Sequence, residues 1–315
     1  MDRKPAFSAA SRLLVLLTLA LIVTGCSGFR ESVHTWALNH ELRQANLEEK
    51  ALEINGKHIA YYESRSPRDD REVLLMVHGF AANKQNWIRL ARDFRDDYHV
   101  VAIDLPGHGD SIQDPDLSYT VADQAGYLDA IMDALDVSSA HLTGSSMGGA
   151  IVAVFASTRP DRVKTLTLIA PAGVHEHPSE LEEHLQAGTN PLIMEDVSEF
   201  NDLMDFVMEE RPFLPWPISR VIAERHLANR EINEVIFEDI RRDADADFGA
   251  VMEGIRAPTL ILWGDKDRVL NVANAEIMHE HIQDSRLVIL EGIGHAPMLE
   301  TPSETARHMH SLLSP

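Results

Sequence analysis

Apolar segments of strand length alternate with amphipathic segments of helix length along most of the chain, starting near Lys50. The later apolar segments are uninterrupted, as in Thr259–Trp263, and such runs are typical of parallel strands buried on both faces. The first two segments roughly alternate in polarity and are joined across Asn55-Gly56, which indicates an antiparallel hairpin. The pattern predicts a one-domain α/β fold, with a mostly parallel eight-stranded sheet and helices on both faces.

The pattern also places the individual elements. Strands are predicted at Ala51–Ile54, Ile59–Glu63, Val73–His78, Val100–Leu105, Ala140–Gly144, Thr165–Ala170, Thr259–Trp263 and Leu287–Glu291. Helices between them are predicted at Asn86–Phe94, Val121–Leu135, Met147–Ser157, Ala273–His281 and Ser303–Leu313. In such a sheet, ligands bind at the carboxyl ends of the strands, so the segments that follow each strand are the first place to look for chemistry.

A long insert, about residues 173–254, separates the sixth and seventh predicted strands and has helical periodicity. Its position after a strand end predicts a helical cap over the functional site. One apolar stripe contains Phe200, Leu203, Met204 and Phe206, and the segment after it carries Phe213 and Trp216. Two interpretations stay open: Phe200, Phe213 and Trp216 bind an acyl chain or lipid, or the stripe packs the cap onto the core.

The N-terminus has the pattern of a secretory signal. Basic residues precede the apolar run Leu13–Val23, which is shorter than the roughly 20 residues a membrane span needs. The following Thr24-Gly25-Cys26 resembles a bacterial lipobox, which implies a lipid on Cys26, the only cysteine of the chain. A plain signal peptide or an uncleaved anchor is the alternative.

These features divide the chain into a signal peptide of residues 1–25, a tether or N-terminal helix of residues 26–49, and an α/β domain of residues 50–315 that includes the insert. In Gram-negative lipoproteins, a serine after the lipidated cysteine resembles the outer-membrane sorting rule, and Ser27 stands there. We therefore expect a protein held by its lipid anchor in the bacterial cell envelope, at the outer membrane.

The charge of the chain argues against nucleic-acid binding. Fifty acidic residues oppose 28 basic ones, for a net charge of −22, and no dense basic patch is present. An acidic body is repelled by anionic surfaces, so a neutral ligand fits it better than an anionic one.

The most informative motif is Gly144–Gly148, which has the form G-x-S-x-G with Ser146 at its centre. An apolar strand-like run precedes it and a helix-length run of small and apolar residues follows. This context is typical of a nucleophile elbow, a tight strand-to-helix turn that projects a reactive serine above the sheet. Ser146 is therefore the predicted nucleophile.

A serine nucleophile needs a base and an acid that orients the base, and in this kind of sheet they follow in the order serine, acid, histidine. His295 lies in a glycine-rich loop just past the last predicted strand and is the predicted base. Past the preceding strand stand Asp265 and Asp267. We expect Asp267 to be the acid, with Asp265 as a turn-capping alternative.

The developing oxyanion needs two backbone N–H donors. The residue after the nucleophile, Met147, supplies one, and Phe80, in the loop after the third strand, supplies the other. His78 is expected to orient that loop. The turn-rich segment of residues 104–111 is interpreted as structural.

Taken together, these residues resemble the α/β-hydrolase superfamily from about Lys50 to Leu313. His78-Gly79-Phe80 with Lys84 and Trp87, the extended elbow Gly144–Gly149, and Ile169–Gly173 are similar to the monoacylglycerol lipase group and to bacterial family V lipases and esterases. The resemblance implies a Ser146–Asp267–His295 triad that hydrolyses fatty-acid esters. One departure is that Val269 is followed by Leu270, where family members usually carry Val-Pro or Ile-Val.

The mechanism that follows is acyl transfer to Ser146 and then to water, for which neither a metal nor another cofactor is expected. Two alternatives remain. A C–C bond hydrolase of ring-cleavage products shares the elbow, but it requires a Ser-Gly-rich loop where this chain has Phe80–Asn83. A lipid-anchored binding protein on the same scaffold would not require an intact triad. The oligomeric state is not predicted.

Overall fold

The computed structural model describes residues 9–65, 71–242 and 248–313, with side chains from Ser27 onward. Residues 1–8 and the side chain of Cys26 lie outside the described part. The predicted processing after residue 25 and the predicted lipidation therefore stay predictions. Within the residues that are described, no helix has both the length and the apolar composition that crossing a membrane requires.

An eight-stranded sheet forms the centre of the protein. Its strands are β1 (Leu47–Ile54), β2 (Lys57–Ser64), β3 (Val73–Val77), β4 (His99–Ile103), β5 (Ala140–Ser145), β6 (Val163–Ile169), β7 (Thr259–Gly264) and β8 (Ser285–Leu290). Their spatial order is β1-β2-β4-β3-β5-β6-β7-β8. Strand β2 is antiparallel to both neighbours, and every other pair is parallel. The predicted antiparallel start and parallel remainder are confirmed.

Helices cover both faces of this sheet. They are α1 (Ala9–Gln44), α2 (Ile88–Ala91), α3 (Val121–Ala134), α4 (Met147–Thr158), α5 (Glu180–Gln186), α6 (Phe200–Val207), α7 (Ile218–Ala228), α8 (Arg230–Arg242), α9 (Phe248–Gly254), α10 (Asn274–His281), α11 (Pro297–Glu300) and α12 (Pro302–Leu313). The helix predicted over Asn86–Phe94 is instead a 3₁₀ turn at Lys84–Trp87 followed by the short α2. The Asn83 side chain starts this turn by accepting from the Gln85 N–H.

Alternate residues of each central strand face opposite layers, as the period of two requires. In β3, Leu75 and Val77 join a cluster with residues of α3 and α4. Their neighbours Leu74 and Met76 join a second cluster with α2 and α12. Burial on both faces explains why β3 is an uninterrupted apolar run and why β7 is apolar from Leu260 to Trp263.

Strand β8 corrects one expectation. Its apolar run predicted burial on both faces, but β8 lies at the edge of the sheet and only its last residue is buried. Ile289 is 43% exposed. An apolar run predicts a strand, but it does not show whether that strand lies in the centre or at the edge of the sheet. That position depends on the order in which the strands pair.

The segment before the catalytic domain is part of the packed structure. Helix α1 continues to Gln44, and β1 begins at Leu47, three residues earlier than the expected domain boundary at residue 50. Leu42 and Leu47 are buried in the core. Arg30 pairs with Glu224, and Glu31 pairs with Arg225, so two ion pairs join α1 to α7 of the insert.

The insert between β6 and β7 is helical, as predicted, and contains α5 to α9. It has a small core of its own, formed by Met194, Phe200, Leu203 and Ala223. We call the insert of about residues 173–254 the cap.

Candidate active site

Ser146 occupies the turn between β5 and α4, as the elbow motif predicts. Its backbone has φ 55° and ψ −121°, a strained conformation that non-glycine residues rarely adopt. The turn is held by two hydrogen bonds of 3.0 Å, from Ser146 N–H to the Ile169 carbonyl and from Ala172 N–H to the Ser146 carbonyl. Strain supported by surrounding bonds is typical of a functional position.

The elbow glycines are required by close packing. A Cβ atom on Gly148 would lie 2.3 Å from the carbonyl oxygens of Val77 and His78. A Cβ on Gly144 would lie 2.3 Å from the Gly148 carbonyl oxygen. No side chain fits at either position, so the G-x-S-x-G spacing follows from the approach of α4 to β3 and β5.

The hydroxyl of Ser146 does not cap α4 and, within the described residues, forms no hydrogen bond. It remains available as a nucleophile. In substrate-free hydrolases, the bond from nucleophile to base is often long and shortens in the substrate complex.

The acid and the base are in direct contact. Nδ1 of His295 donates to Oδ2 of Asp267 at 2.7 Å. The indole N–H of Trp263 donates to the same oxygen at 2.9 Å. Oδ1 of Asp267 accepts from the backbone N–H groups of Val269 at 2.8 Å and Leu270 at 3.0 Å. Four donors thus satisfy a fully buried carboxylate and fix its orientation toward His295.

Leu270, where the sequence departs from the usual Val-Pro or Ile-Val pair, therefore contributes to the site through its backbone N–H. A proline at that position has no N–H and could not donate to Asp267. Relative to Val-Pro the departure adds a hydrogen bond to the acid, and relative to Ile-Val it leaves the backbone donor unchanged.

Asp265, the alternative acid, has a different role. Its Oδ1 accepts from the Gly292 N–H at 2.6 Å, and its Oδ2 pairs with Lys266 at 3.0 Å. Asp265 therefore braces the loop after β8, and the structure brings Asp267, not Asp265, to His295. The two loops also touch at Gly264, whose added Cβ would lie 2.2 Å from the carbonyl oxygen of Gly294.

The loop after β3 runs beside the nucleophile. A Cβ on Gly79 would lie 3.0 Å from Cβ and 3.7 Å from Oγ of Ser146. The adjacent Phe80 is held by ring contacts with Phe237 of α8 and with His108. On the other side of Ser146, Met147 is the first residue of α4, where backbone N–H groups have no intrahelical acceptor. The backbone around both predicted oxyanion donors is thus close to Ser146.

His78 orients this loop, in keeping with its predicted structural role. Its Nε2 accepts from the Leu105 N–H at 3.1 Å, so the proton is on Nδ1, which donates to the Gly79 carbonyl at 2.7 Å. The ring is fully buried, and burial lowers the pKa of His78 to about 4. His78 is therefore neutral near pH 7 and keeps this single tautomer.

Beneath the loop lies an ion cluster that sequence analysis missed. Nζ of the buried Lys84 lies 2.7 Å from Asp104, 2.5 Å from Asp110 and 3.2 Å from Glu49. Burial alone would lower the pKa of Lys84, but the attraction of Asp104 and the hydrogen bonds to Asp104 and Asp110 together outweigh it and raise this pKa. The Lys84 N–H also donates to Asp104 at 2.7 Å. The cluster ties the loop after β3 to residues 104–111, which supports the structural interpretation of that segment.

A cavity of about 830 Å³ lies between α1, the loop after β3 and the cap. This volume is within the range of small-molecule sites. Phe80 and Met208 line it, so it reaches the residue next to Gly79 and the cap segment next to His295. The rest of its wall is mostly apolar, with contributions that include Leu38, Ile88, Phe200, Leu203, Met204, Phe213, Ile218 and Ile222.

The three predicted cap residues are placed differently. Phe200 is buried, packs in the cap core and also lines the cavity. Phe213 lines the cavity while 84% exposed. Trp216 is 69% exposed and is not among the described lining residues. The stripe residue Phe206 packs on the main core and against His184. The stripe therefore packs the cap, and Phe200 of the stripe also lines the cavity, while acyl binding by these residues stays a prediction.

Among the described residues, no three His, Cys, Asp or Glu side chains cluster as metal ligands would.

Besides the ion cluster of Lys84, sequence analysis missed Glu300, whose carboxylate accepts hydrogen bonds from the loop that carries His295.

Comparisons with known proteins agree with this architecture. The family model of the alpha/beta hydrolase fold matches residues 72–203. The chain is similar to Lipase 1 of Psychrobacter immobilis, with 31% identity over 304 residues that cover 94% of each protein. It is 27% identical to a monoacylglycerol lipase of Xenopus laevis, with 84% of each chain covered. The structure is similar to the crystal structure of a membrane phospholipase A, described as a bacterial virulence factor, with a TM-score of 0.88. The two sequences are 39% identical, and the match covers 95% of this chain and 97% of that chain. The resemblance predicted from the sequence is confirmed, and the chain belongs to the α/β-hydrolase family.

Proposed function

We propose that this protein is a membrane-tethered serine hydrolase that cleaves carboxylic esters of fatty acids through an acyl-enzyme on Ser146. The observation that carries the proposal is the Asp267–His295 hydrogen bond of 2.7 Å. These two residues and the strained Ser146 elbow all follow the carboxyl ends of strands. That the protein is a carboxylic ester hydrolase follows from its similarity to lipases over nearly the whole chain.

The tautomer of His295 determines the direction of proton transfer. Because Nδ1 donates to Asp267, Nε2 of the neutral ring carries a lone pair and serves as the base. Nε2 takes the proton of Ser146 as Oγ attacks the ester carbonyl, and it then protonates the leaving alcohol. Water, deprotonated by the same nitrogen, attacks the acyl-enzyme and releases the fatty acid.

The negative oxygen of each tetrahedral intermediate is held by the N–H groups of Phe80 and Met147. Each such donor contributes roughly 3–4 kcal/mol to lowering the barrier. The proximity of Gly79 to Ser146 supports this assignment, as does the position of Met147 at the N-terminus of α4, where the helix dipole favours negative charge.

The cavity supports an acyl substrate. Its wall is mostly apolar, and it approaches the catalytic loops at Phe80 and Met208. Phe200 and Phe213 are the predicted acyl-binding residues that line it. An apolar chain gains affinity by leaving water for such a surface, at roughly 25 cal/mol per Å² buried.

Tethering to the outer membrane through a lipid on Cys26 is the remaining part of the proposal. Helix α1 runs from the apolar N-terminal segment directly to the cap and to one wall of the cavity. Removal of residues 1–25 would make Cys26 the first residue of this helix, and a lipid there would hold the cavity near a membrane, where fatty-acid esters are concentrated.

Covalent labelling tests the proposed nucleophile. A fluorophosphonate probe should label the wild-type protein on one residue, identified as Ser146 by peptide mass spectrometry. The Ser146→Ala variant should not be labelled, whereas Ser311→Ala, which removes an exposed hydroxyl on α12, should be labelled as fast as wild type. Folded wild-type protein that resists the probe would instead support the non-catalytic binding protein.

A further inference from the structure

One carboxylate outside the triad connects the cap to the loop of His295. Glu300, the last residue of α11, accepts four backbone hydrogen bonds. Its Oε2 accepts from Gly294 at 3.0 Å, from Glu209 at 2.9 Å and from Glu210 at 2.8 Å. Its Oε1 accepts from Ala296 at 3.1 Å.

The four donors belong to two segments. Gly294 and Ala296 flank His295 on either side, whereas Glu209 and Glu210 follow α6 in the cap. The segments also touch directly, because the His295 N–H donates to the Val207 carbonyl at 2.9 Å. A Cβ on Gly294 would lie 2.8 Å from the Glu209 nitrogen. The loop that carries His295 therefore packs on the C-terminal end of α6. Glu300 accepts hydrogen bonds from this loop and from the segment that follows α6.

The loop of the acid is attached to the same part of the cap. Arg268, the residue after Asp267, donates to the Asp205 carbonyl at 2.5 Å and to the Glu209 carboxylate at 2.9 Å. The segment of residues 205–210 thus has one attachment to the loop of the acid and another, through Glu300, to the loop of the base. Arg268 and Glu209 are both about 40% exposed, so their ion pair is the weaker attachment.

A charged acceptor is suited to this role. Hydrogen bonds from N–H groups to a carboxylate are shorter and stronger than bonds to a neutral oxygen. An amide side chain of the same size has only one acceptor oxygen and places two N–H donors near the four backbone donors. Glu300→Gln therefore disrupts the hydrogen bonds from the four backbone donors without opening a cavity.

We propose that Glu300 is a positioning residue for ester hydrolysis, which holds His295 in its reactive place by fixing its loop to cap segment 205–210. This inference rests on the proposed function, in which His295 is the base. Val207 and Met208 of the same segment line the cavity, so the position of the base and the shape of the acyl site are set together. Displacement of a reacting group by 1 Å can cost on the order of 10²-fold in rate.

The test compares Glu300→Gln with Glu304→Gln, a matched change at an exposed glutamate on α12 that pairs only with the exposed Arg307 among described residues. For p-nitrophenyl butyrate, we expect Glu300→Gln to lower kcat roughly 10- to 100-fold with little change in KM. Labelling of Ser146 by the fluorophosphonate should slow by a similar factor. Glu304→Gln should match wild type in both measurements. Wild-type kcat in folded Glu300→Gln protein, even with a lowered Tm, would overturn the inference and leave only a structural role.

A failure of the proposed function would look different, because the wild-type protein itself would then not be labelled at Ser146. If Glu300→Gln does not fold, native-state hydrogen exchange of the wild-type protein provides the test. The amides of Gly294, Ala296, Glu209 and Glu210 all donate to the carboxylate of Glu300, so they should be protected from exchange to a similar degree. Protection factors that differ more than tenfold between the two segments would overturn the inference.

Discussion

Asp267 and His295 share a hydrogen bond of 2.7 Å, although 28 residues separate them in the chain. Asp265, two residues before the acid, contacts Gly292 instead. The contrast provides a matched pair of variants. Asp267→Asn places an amide against Nδ1 and favours the wrong tautomer of His295, so kcat should fall on the order of 10³- to 10⁴-fold.

Asp265→Asn serves as the control. Its amide oxygen can still accept from the Gly292 N–H and only the ion pair with Lys266 is lost, so kcat should fall less than about tenfold. Initial rates on p-nitrophenyl butyrate, with folding checked by circular dichroism, provide the measurement. An equal loss of kcat in both variants would show that activity depends on the loop as a whole and that Asp267 is not the acid of the triad.

Lys84 should be among the most important side chains for stability. Lys84→Met leaves Asp104 buried without its cation, which should lower the free energy of unfolding by about 3–5 kcal/mol. Lys164→Met removes a lysine that pairs with Glu72 at the surface and should cost about 0–1 kcal/mol. Urea unfolding of both variants measures the difference, and similar midpoints would contradict the role assigned to the cluster.

His108 should make the fold sensitive to acid. Burial, together with repulsion from His78, lowers the pKa of His108 to about 3, from 6.5 in the unfolded chain. Between these values the unfolded state binds a proton that the folded state does not, so stability falls as pH drops below 6.5. The loss from this group approaches about 1.4 kcal/mol per pH unit.

His108→Asn keeps an N–H that can donate to the Pro106 carbonyl, as Nδ1 of His108 does at 3.1 Å. The variant should therefore fold and should lose stability less steeply between pH 6.5 and 4.5. Urea unfolding at several pH values measures both slopes. A variant slope as steep as that of wild type would mean that His108 takes up its proton in the folded state as well.

Sequence patterns predicted the parts of the site that are determined locally. The elbow around Ser146 and the glycine-rich loop of His295 follow single strands, so short stretches of chain sufficed to locate them. The choice between Asp265 and Asp267 was harder, because the two carboxylates follow the same strand and differ only in which way the turn directs them.

The parts that sequence analysis missed depend on contacts between distant segments. Glu300 meets Glu209 across 91 residues and Lys84 meets Asp104 across 20, and neither contact has a local pattern. For the same reason, the cap stripe could not be divided into cavity and core residues. The exposed edge of β8 likewise follows from the order of strands, which apolar runs do not encode.

The lipid anchor is tested at the only cysteine of the chain, Cys26. When the protein is produced in a Gram-negative host with radiolabelled palmitate, the wild type should incorporate label and sediment with the outer membrane. Cys26→Ser should incorporate none and should appear in the soluble fraction or as an uncleaved precursor. Label that persists in the variant would contradict lipidation at this residue.

The most direct test of the central claim is hydrolysis of p-nitrophenyl esters by Ser146→Ala. Because Ser146 forms the acyl-enzyme, kcat should fall to background, on the order of 10⁵- to 10⁶-fold, while the circular dichroism spectrum and Tm stay close to those of wild type. Folded Ser146→Ala protein that still hydrolyses these esters within about tenfold of the wild-type rate would contradict the account.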